Sequence, residues 1–268
     1  MKLSVLIPAR NEATCIAETV ACTIDTLRRE SIPNEIVIVD DGSDDLTSAE
    51  AGRGANGTPI RILRNDKKNG FGMAVRMGLS EISGDAVAIM MADGSDSPQD
   101  LVRYYRKLQE GYECVFGSRF IRGGGVEGYP PHKLVINRLA NWFIMLLFGI
   151  KYNDVTNAFK CYRREVIDGM QPLISVHFNL TVEMPLKAIV RGYSFAVIPI
   201  TWRDRRTGVS KLRLQEMGSR YFFIVSYLWL ERLLSRGDYR RPSGLANSQP
   251  GSDESALQKR ASAGRKRE

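Results

Sequence analysis

Residues 85–98, which read DAVAIMMADGSDSP, decide the fold prediction. The first half is an apolar run, typical of a strand that is buried on both faces of a parallel sheet. Asp93 and Asp96 follow this strand directly, and Ser97 and Pro98 then suit the cap and the first turn of a helix. Carboxylates at this junction predict either a ligand site or a turn that caps the next helix.

The same sequence of strand and helix recurs along the first half of the chain. Strands are predicted at residues 2–9, 35–41, 60–64, 85–93 and 112–120. Helices are predicted at residues 11–27, 72–82 and 97–110. This alternation predicts βαβ units and an α/β fold, with a mostly parallel, doubly wound sheet flanked by helices.

After Phe120 the pattern is less regular. A mixture of loop and helix is predicted at 151–166 and a strand at 195–204. Further helices are predicted at 134–148, 178–193 and 221–234. We therefore expect one domain over 1–234, ending in an apolar helix.

A disordered basic tail is predicted over 235–268, because this segment is rich in Ser, Gly, Ala and Arg and poor in large apolar residues. It contains eight Lys/Arg and four Asp/Glu, so it carries +4 of the net charge of +8. Such a tail either keeps the protein in solution or contacts an anionic surface such as lipid. We expect no nucleic acid among the partners, and the sequence leaves the oligomeric state open.

Several functional classes are disfavoured by composition and motifs. The four cysteines form no C-x-x-C pair and indicate a reducing, cytoplasmic compartment, and no secretory leader is expected. With two histidines, a His-rich zinc site is not expected. The phosphate-binding motif G-x-x-x-x-G-K-[ST] is missing from the sequence, and "GFGMAV" lacks the third glycine of a dinucleotide fingerprint.

The ends of the predicted strands carry most of the polar residues that suit a site. They are Pro8, Arg10 and Glu12 after the first strand, Asp40 and Asp41 after the second, Asp93 and Asp96 after the fourth, and Ser118 and Arg119 after the fifth. In open α/β sheets ligands bind at this rim. The four aspartates there repel one another unless a cation or hydrogen-bond donors are present, and Mg²⁺ prefers oxygen ligands that it shares with phosphates. Asp93, helped by Asp96, is therefore the metal candidate.

Seven motifs in order resemble one family. They are LIPARNEA, EIVIVDDGSDD, NGFGMAVRMG, MADGSDSP, GSRF, DVTNAFKCYRREV and RDRRTGVSKL. From Lys2 to Leu212 the chain resembles the inverting family 2 glycosyltransferases with a GT-A fold. Within that family it looks closest to the dolichyl-phosphate mannose synthase and polyprenyl-phosphate glycosyltransferase branch.

The resemblance implies a role for each matching position. It assigns donor nucleotide contacts to Pro8, Arg10, Glu12, Val39, Asp40, Asp41, Ala92 and Asp93. It assigns Mg²⁺ or Mn²⁺ to Asp93 and Asp96, and the phosphates to Arg119, Arg205 and Lys211, with Arg206 as a competitor of Arg205. The chain departs from the branch at Arg10, where Tyr is usual, and in spacing its second carboxylate as Asp-x-x-Asp instead of Asp-x-Asp.

The implied reaction moves a sugar from a nucleotide-diphosphate sugar to a polyprenyl or dolichyl phosphate with inversion. A phosphate acceptor is already ionised near pH 7, so no dedicated general base is expected; Asp154 and Glu183 are the fallback bases for a hydroxyl acceptor. Alternatives are a family 2 transferase acting on a soluble or saccharide hydroxyl, and a non-catalytic binding subunit with this fold. A nucleotidyltransferase is disfavoured, because "PARNEATC" offers no Gly-rich loop after strand one.

Two segments raise the question of a membrane. WFIMLLFGI (142–150) and YFFIVSYLWL (221–230) are strongly apolar but too short to cross a bilayer. They either pack in the core or lie in the lipid interface. A lipid acceptor favours the second alternative and predicts a peripheral protein at the cytoplasmic face of a membrane.

Overall fold

A computed structural model describes residues 1–66, 69–204 and 214–241, without side chains at 214–217. The strands are β1 (Leu3–Ala9), β2 (Asn34–Asp40), β3 (Arg61–Arg64), β4 (Ala86–Ile89), β5 (Cys114–Ser118), β6 (Gly125–Glu127), β7 (Lys160–Arg163), β8 (Phe195–Pro199) and β9 (Thr201–Arg203). The helices are α1 (Ile16–Arg29), α2 (Thr47–Gly54), α3 (Phe71–Glu81), α4 (Pro98–Gln109), α5 (Pro131–Phe148), α6 (Arg164–Gly169), α7 (Leu180–Val190) and α8 (Leu214–Leu234).

Seven strands form the main sheet in the order β3-β2-β1-β4-β7-β5-β8. All its strands run parallel except β7, which lies antiparallel between β4 and β5. The predicted α/β fold with a mostly parallel sheet flanked by helices is therefore confirmed. The carboxyl ends of β1, β2, β4 and β5 share one edge, which is where the predicted site residues lie.

The second half of the chain differs in detail from the prediction. The mixed segment 151–166 contains β7, and the strand predicted at 195–204 is two strands, β8 and β9, which lie in different sheets. The sequence of β7 is KCYR, which has neither alternation nor an apolar run. Its strand conformation depends on pairing with both neighbours, and that information is not local.

Two apolar layers cover the two faces of the sheet. Successive residues of β1 point to opposite faces, so Val5 and Ile7 join the layer under α1 and α4, whereas Leu6 joins the layer under α3 and α7. The central strands are buried on both faces, as their apolar runs predicted.

Helices α5 and α8 contribute only narrow stripes to the core. Ile144 and Phe148 of α5 and Ile224 and Leu228 of α8 are buried. Most of their other large apolar side chains are exposed, including Val135, Leu139, Trp142, Phe143 and Leu146 on α5 and Phe222, Phe223, Leu230 and Leu233 on α8. Full packing of these helices in the core, one of the two alternatives, is therefore wrong. In the described part of the chain we find no helix with the length and apolar character needed to cross a membrane.

The start of the predicted tail packs against the domain. The backbone N–H of Arg241 donates to the carbonyl of Arg191 (3.1 Å), and the Arg241 guanidinium pairs with Glu113. Arg191 in turn pairs with Glu231 of α8 at 3.2 Å. Residues 235–241 therefore belong with the folded body, and the remainder of the predicted tail lies outside the described residues.

Glu35, near the start of β2, links neighbouring segments by hydrogen bonds at the edge of the sheet opposite the predicted site. Its carboxylate accepts hydrogen bonds from Ser4 Oγ (2.6 Å), from Ser83 N (2.6 Å) and Oγ (2.9 Å), and from Lys2 Nζ (3.3 Å). Partial burial raises the pKa of Glu35, but these hydrogen bonds outweigh it and lower the pKa to about 2.

We predict that Glu35→Gln lowers the free energy of unfolding at pH 7 by about 1–2 kcal/mol, a value reduced for solvent screening. Because the folded-state pKa of Glu35 lies below the unfolded value, its contribution is complete above pH 4.5 and is lost as the pH falls towards 2. Urea unfolding of both proteins across this range should show the difference narrowing with acid. A difference that stays constant with pH would contradict the assignment.

Candidate active site

The loops after β1 and β2 are tied together at the rim. Asn11, which has a positive φ of 53°, donates its N–H to Ser43 Oγ (2.9 Å) and accepts from the N–H of Asp44 (2.9 Å). The N–H of Glu12 donates to Thr47 Oγ1 (2.8 Å). With these hydrogen bonds in place, Arg10 is exposed at the rim and Pro8 is buried below Arg10.

Asp40 and Asp41 are buried and organise the neighbouring loops. Asp40 accepts from the Ser43 N–H (2.8 Å) and from the Ser48 hydroxyl. Burial raises the pKa of Asp40, but the hydrogen bonds from Ser43 and Ser48 outweigh it and lower the pKa. Asp41 accepts from Asn65 Nδ2 (2.6 Å) and from the N–H of Gly70 (2.7 Å), at the start of α3. Both carboxylates thus hold loop backbone at the predicted nucleotide site.

Val39 does not reach the rim. It is fully buried in the core layer under α3 and pairs with both neighbouring strands. Its side chain is therefore not exposed to a ligand, and the donor contact assigned to Val39 by the resemblance stays a prediction.

A loop at residues 174–177, which no sequence motif indicates, packs against the start of α3 at the side of the site. The N–H of Met73 donates to the carbonyl of Val176 (3.1 Å), and a Cβ added at Gly72 would lie 2.4 Å from the carbonyl oxygen of Ser175. The imidazole of His177 lies beside Gly70. Only glycine at position 72 permits this close approach of the loop to the helix.

The fallback base Glu183 holds the same loop in place. Its fully buried carboxylate accepts from the N–H groups of Ile174 (2.8 Å) and Ser175 (2.7 Å) and pairs with Lys187 at 2.8 Å. Protein donors thus occupy both carboxylate oxygens, so the structure gives Glu183 a structural role in place of the fallback role of a base for a hydroxyl acceptor.

The turn after β4 brings the two predicted metal ligands together. The Ser95 N–H donates to Asp93 Oδ1 (3.1 Å), and the Met91 N–H donates to Asp96 Oδ2 (2.9 Å). Thr19 of α1 supports the turn from behind by donating to the carbonyl of Ala92 (3.0 Å).

Ser97 occupies the N-cap position of α4, as predicted, but its side chain does not cap the helix. Its hydroxyl instead bonds the side chain of Gln99 at 2.8 Å.

The electrostatics of this turn suit a divalent cation. Burial raises the pKa of Asp96 to about 7; the Met91 hydrogen bond opposes this shift, and the nearby charge of Asp93 adds to it. A cation between the two carboxylates would relieve their repulsion. Ser95 Oγ is also buried here without a hydrogen-bond partner.

The described residues contain no cluster of three or more His, Cys, Asp or Glu side chains that could hold a metal by themselves. Two carboxylates and a hydroxyl therefore fit Mg²⁺ or Mn²⁺ only if phosphate and water oxygens complete the coordination.

Arg119 and Asp154 form a buried ion pair at the end of β5. Arg119 donates from Nε (2.8 Å) and from its backbone N–H (2.9 Å) to Asp154 Oδ2, and from Nη2 (2.7 Å) to Oδ1. Burial lowers the pKa of Arg119, but the charge of Asp154 outweighs it and raises the pKa.

Two predictions change as a result. Asp154 is not a fallback base, because its carboxylate is fully buried and bound at both oxygens. The Nε/Nη2 edge of Arg119 is likewise occupied by a carboxylate, so the phosphate contact predicted for Arg119 stays a prediction and would have to use Nη1.

The turn that carries Asp154 is held from several sides. Ser118 Oγ donates to Asn153 Oδ1 (2.6 Å). Lys160, the first residue of β7, donates from Nζ to the carbonyls of Val155 (3.0 Å) and Thr181 (3.1 Å). Burial lowers the pKa of Lys160 to about 7, against the opposing charge of Asp154. The sequence signal for this network is the set of polar residues in DVTNAFK, but their types alone do not show which partners they bind.

The small β6–β9 sheet lies beside the turn after β4. The N–H of Arg203 donates to the carbonyl of Ser95 (3.3 Å), and the Arg203 side chain pairs with Glu127 at 2.8 Å. The chain then enters 205–213, so the predicted phosphate ligands Arg205 and Lys211, together with the competitor Arg206, lie outside the described residues.

Comparison with known proteins identifies the family. The model described as glycosyl transferase family 2 matches residues 4–170. The chain belongs to this family. It is therefore a glycosyltransferase, and the carboxylate turn after β4 lies within the matched residues.

Two curated relatives match most of this transferase. Polyprenol monophosphomannose synthase from Mycolicibacterium smegmatis is 31% identical over 215 residues, covering 78% of this chain and 80% of the relative. Dolichol-phosphate mannosyltransferase from Pyrococcus furiosus is 32% identical over 216 residues, covering 80% of this chain. The match spans 60% of that second protein's length.

Solved structures confirm the GT-A fold. Glucosyl-3-phosphoglycerate synthase from Mycobacterium tuberculosis, in complex with Mn²⁺, UDP and glucosyl-3-phosphoglycerate, aligns with a TM-score of 0.65 and 19% identity, covering 92% of this chain and 84% of that one. The same synthase with Mg²⁺ and UDP aligns with a TM-score of 0.64 and 20% identity, covering 92% and 82%. At these identities the likeness concerns the fold alone.

Proposed function

We propose that this glycosyltransferase moves a sugar from a nucleotide-diphosphate sugar to a polyprenyl or dolichyl phosphate, with inversion at the sugar. The observation that carries the proposal is the similarity, over about four fifths of the chain, to two relatives named for mannosyl transfer to lipid phosphates. Mannose is therefore the first sugar to test.

In the proposed reaction a phosphate oxygen of the acceptor attacks C1 of the sugar. The bond from C1 to the donor diphosphate breaks, its electron pair leaves with the diphosphate, and the new C1–O bond forms on the opposite face. The nucleophile is already an anion near pH 7, so the site must position it and need not deprotonate it. Asp154 and Glu183, the fallback bases for a hydroxyl acceptor, are buried and hydrogen-bonded to protein donors, which supports a mechanism without a general base.

We assign the metal to Asp93 and Asp96. A bound Mg²⁺ or Mn²⁺ would supply neutralisation of the charge that develops on the departing diphosphate. The two carboxylates would hold it at the end of β4. The Ser95 hydroxyl offers a third oxygen, and Arg119 (through Nη1), Arg205 and Lys211 remain the proposed phosphate ligands.

We also propose that the exposed apolar faces of α5 and α8 rest on a lipid surface. A lipid phosphate presents its headgroup at that surface, so the enzyme must meet it there. In α5 the charged side chains are Lys133 and Arg138, and the helix carries no Asp or Glu. Apolar side chains beside cationic ones suit the headgroup layer of an anionic membrane. The proposed location is peripheral, at the cytoplasmic face.

A donor and acceptor screen tests the proposed reaction. Guanosine- and uridine-diphosphate sugars are offered with a short, soluble polyprenyl phosphate, with the matching polyprenol, or with 3-phosphoglycerate. We expect transfer to the polyprenyl phosphate alone, dependent on Mg²⁺ or Mn²⁺, with the anomeric configuration inverted by NMR. Transfer to phosphoglycerate or to the free alcohol, and none to the lipid phosphate, would replace this proposal with a soluble or hydroxyl acceptor.

Asp93→Asn should reduce turnover at least a hundredfold, because the loss of one metal ligand removes several kcal/mol of transition-state stabilisation. Asp96→Asn should reduce it less, because Asp93 is proposed to bind the metal directly, whereas Asp96 can act on it through a water molecule. The measurement is initial rate against Mn²⁺ concentration. Asp25→Asn, on the exposed side of α1, serves as the control. Wild-type turnover by Asp93→Asn would refute the metal assignment.

Leu146→Asp should abolish co-sedimentation with anionic vesicles, because Leu146 is 68% exposed on the apolar face of α5. Leu46→Asp is a matched control: Leu46 is also 68% exposed but lies at the start of α2. Leu46→Asp adds the same negative charge but does not change the apolar face of α5. Leu146 is preferable to its neighbour Leu147, which packs partly against the core. Equal vesicle binding by the two variants would exclude this face as the contact.

A further inference from the structure

Helix α5 buries polar side chains on the face that turns towards the site. Its inward stripe runs through Asn137, Asn141, Ile144 and Phe148, which lie three or four residues apart on one side of the helix. Asn141 is fully buried. A buried amide is stable only when it is hydrogen-bonded, so its partners indicate what this part of the helix holds.

Both amides converge on the hydroxyl of Thr156. Asn137 Nδ2 donates to Thr156 Oγ1 at 2.8 Å, and Asn141 Nδ2 donates to the same oxygen at 3.0 Å. The backbone N–H of Thr156 donates back to Asn141 Oδ1 at 3.3 Å. The two helix residues and Thr156, here called the amide cluster, fix one point of the turn 153–157 to α5.

That turn also carries Asp154, the partner of Arg119. The backbone N–H of Asn157 donates to the carbonyl of Asp154 (3.1 Å), so Thr156 lies inside one closed turn with Asp154. The Asp154 carboxylate receives three hydrogen bonds from Arg119. A shift of Thr156 must therefore move Asp154, and with it the guanidinium at the end of β5.

We propose that Asn141 and Thr156 are positioning residues for sugar transfer, acting through Asp154 on Arg119. This inference rests on the proposed function, because it concerns the acceptor side of the same site. It gives α5 two tasks: its outer face meets the lipid that holds the acceptor, and its inner face fixes the position of Arg119, whose predicted phosphate contact would be made through Nη1 because Nε and Nη2 bind Asp154.

The test compares Thr156→Val with Thr156→Ser. Valine keeps the shape of threonine but removes the hydroxyl that both amides need, whereas serine keeps the hydroxyl. With a short, soluble polyprenyl phosphate as acceptor, we expect Thr156→Val to lower kcat about ten- to a hundredfold and Thr156→Ser to restore most of it. The KM for the donor should stay within about twofold of wild type, because the proposed nucleotide and metal contacts lie at the ends of β1, β2 and β4 and not in the turn 153–157.

Further variants separate positioning from a general loss of folding. Asn137→Ala removes one of the two amides at a half-buried position and should lower kcat less than Thr156→Val. Adding it to Thr156→Val should lower kcat no further, because both changes break the same contact. Thr58→Val makes the same change at a hydroxyl outside the site, where Thr58 Oγ1 accepts from Arg28 Nη2 (3.1 Å), and should leave kcat unchanged.

The inference is overturned if Thr156→Val keeps wild-type kcat, if valine and serine lose kcat equally, or if the loss lies in KM for the donor alone. Failure of the proposed function has a different signature, namely no transfer by the wild-type protein to any polyprenyl phosphate. In that case the rate of donor hydrolysis is measured at the same site, and Thr156→Val should again be slower than Thr156→Ser.

Discussion

The buried ion pair between Arg119 and Asp154 is the interaction on which the site depends. Charges of this kind are stable inside a protein only when they are paired and hydrogen-bonded, and removal of one partner leaves the other uncompensated. Asp154 belongs to a turn that is hydrogen-bonded to the end of β5 and, through Thr156, to an amide of α5. Lys160, which follows the turn, bonds α7. The pair therefore links the carboxyl edge of the sheet to the helices behind it.

The same constraint explains why two candidate bases fail. Asp154 and Glu183 are acidic residues close to apolar ones, and the sequence alone does not show whether such a carboxylate is free to act as a general base. In the structure each carboxylate binds protein donors with both oxygens. A phosphate acceptor needs no base, so the enzyme can use these carboxylates for architecture.

The sequence predicted those features of the fold that depend on local pattern. Apolar runs gave β1, β2, β4 and β5, helical periodicity gave α1, α3 and α4, and the strand ends located Asp93 and Asp96 at the rim. It could not predict β7, because the KCYR segment becomes a strand only between β4 and β5. Nor could it show that Arg119 faces Asp154, because 35 residues separate the two partners.

The apolar helices illustrate a second limit. Composition alone left two alternatives for α5, packing in the core or lying on lipid, because both environments favour the same apolar residue types. The structure separates them by exposure: Asn141 points inward, whereas Leu139 and Trp142 point outward. Helix α5 thus turns a polar side chain inward and apolar side chains outward, the opposite of most surface helices. This arrangement supports contact between its outer surface and an apolar partner.

A double-mutant cycle on the ion pair tests the central claim most directly. Arg119→Met, Asp154→Leu and the combined variant are compared by urea unfolding and by sugar transfer to a soluble polyprenyl phosphate. The account predicts that each single change lowers the free energy of unfolding by about 3–5 kcal/mol, that the double change costs much less than the sum, and that the stable double variant is inactive. Additive losses of stability, or a double variant that still transfers sugar, would contradict it.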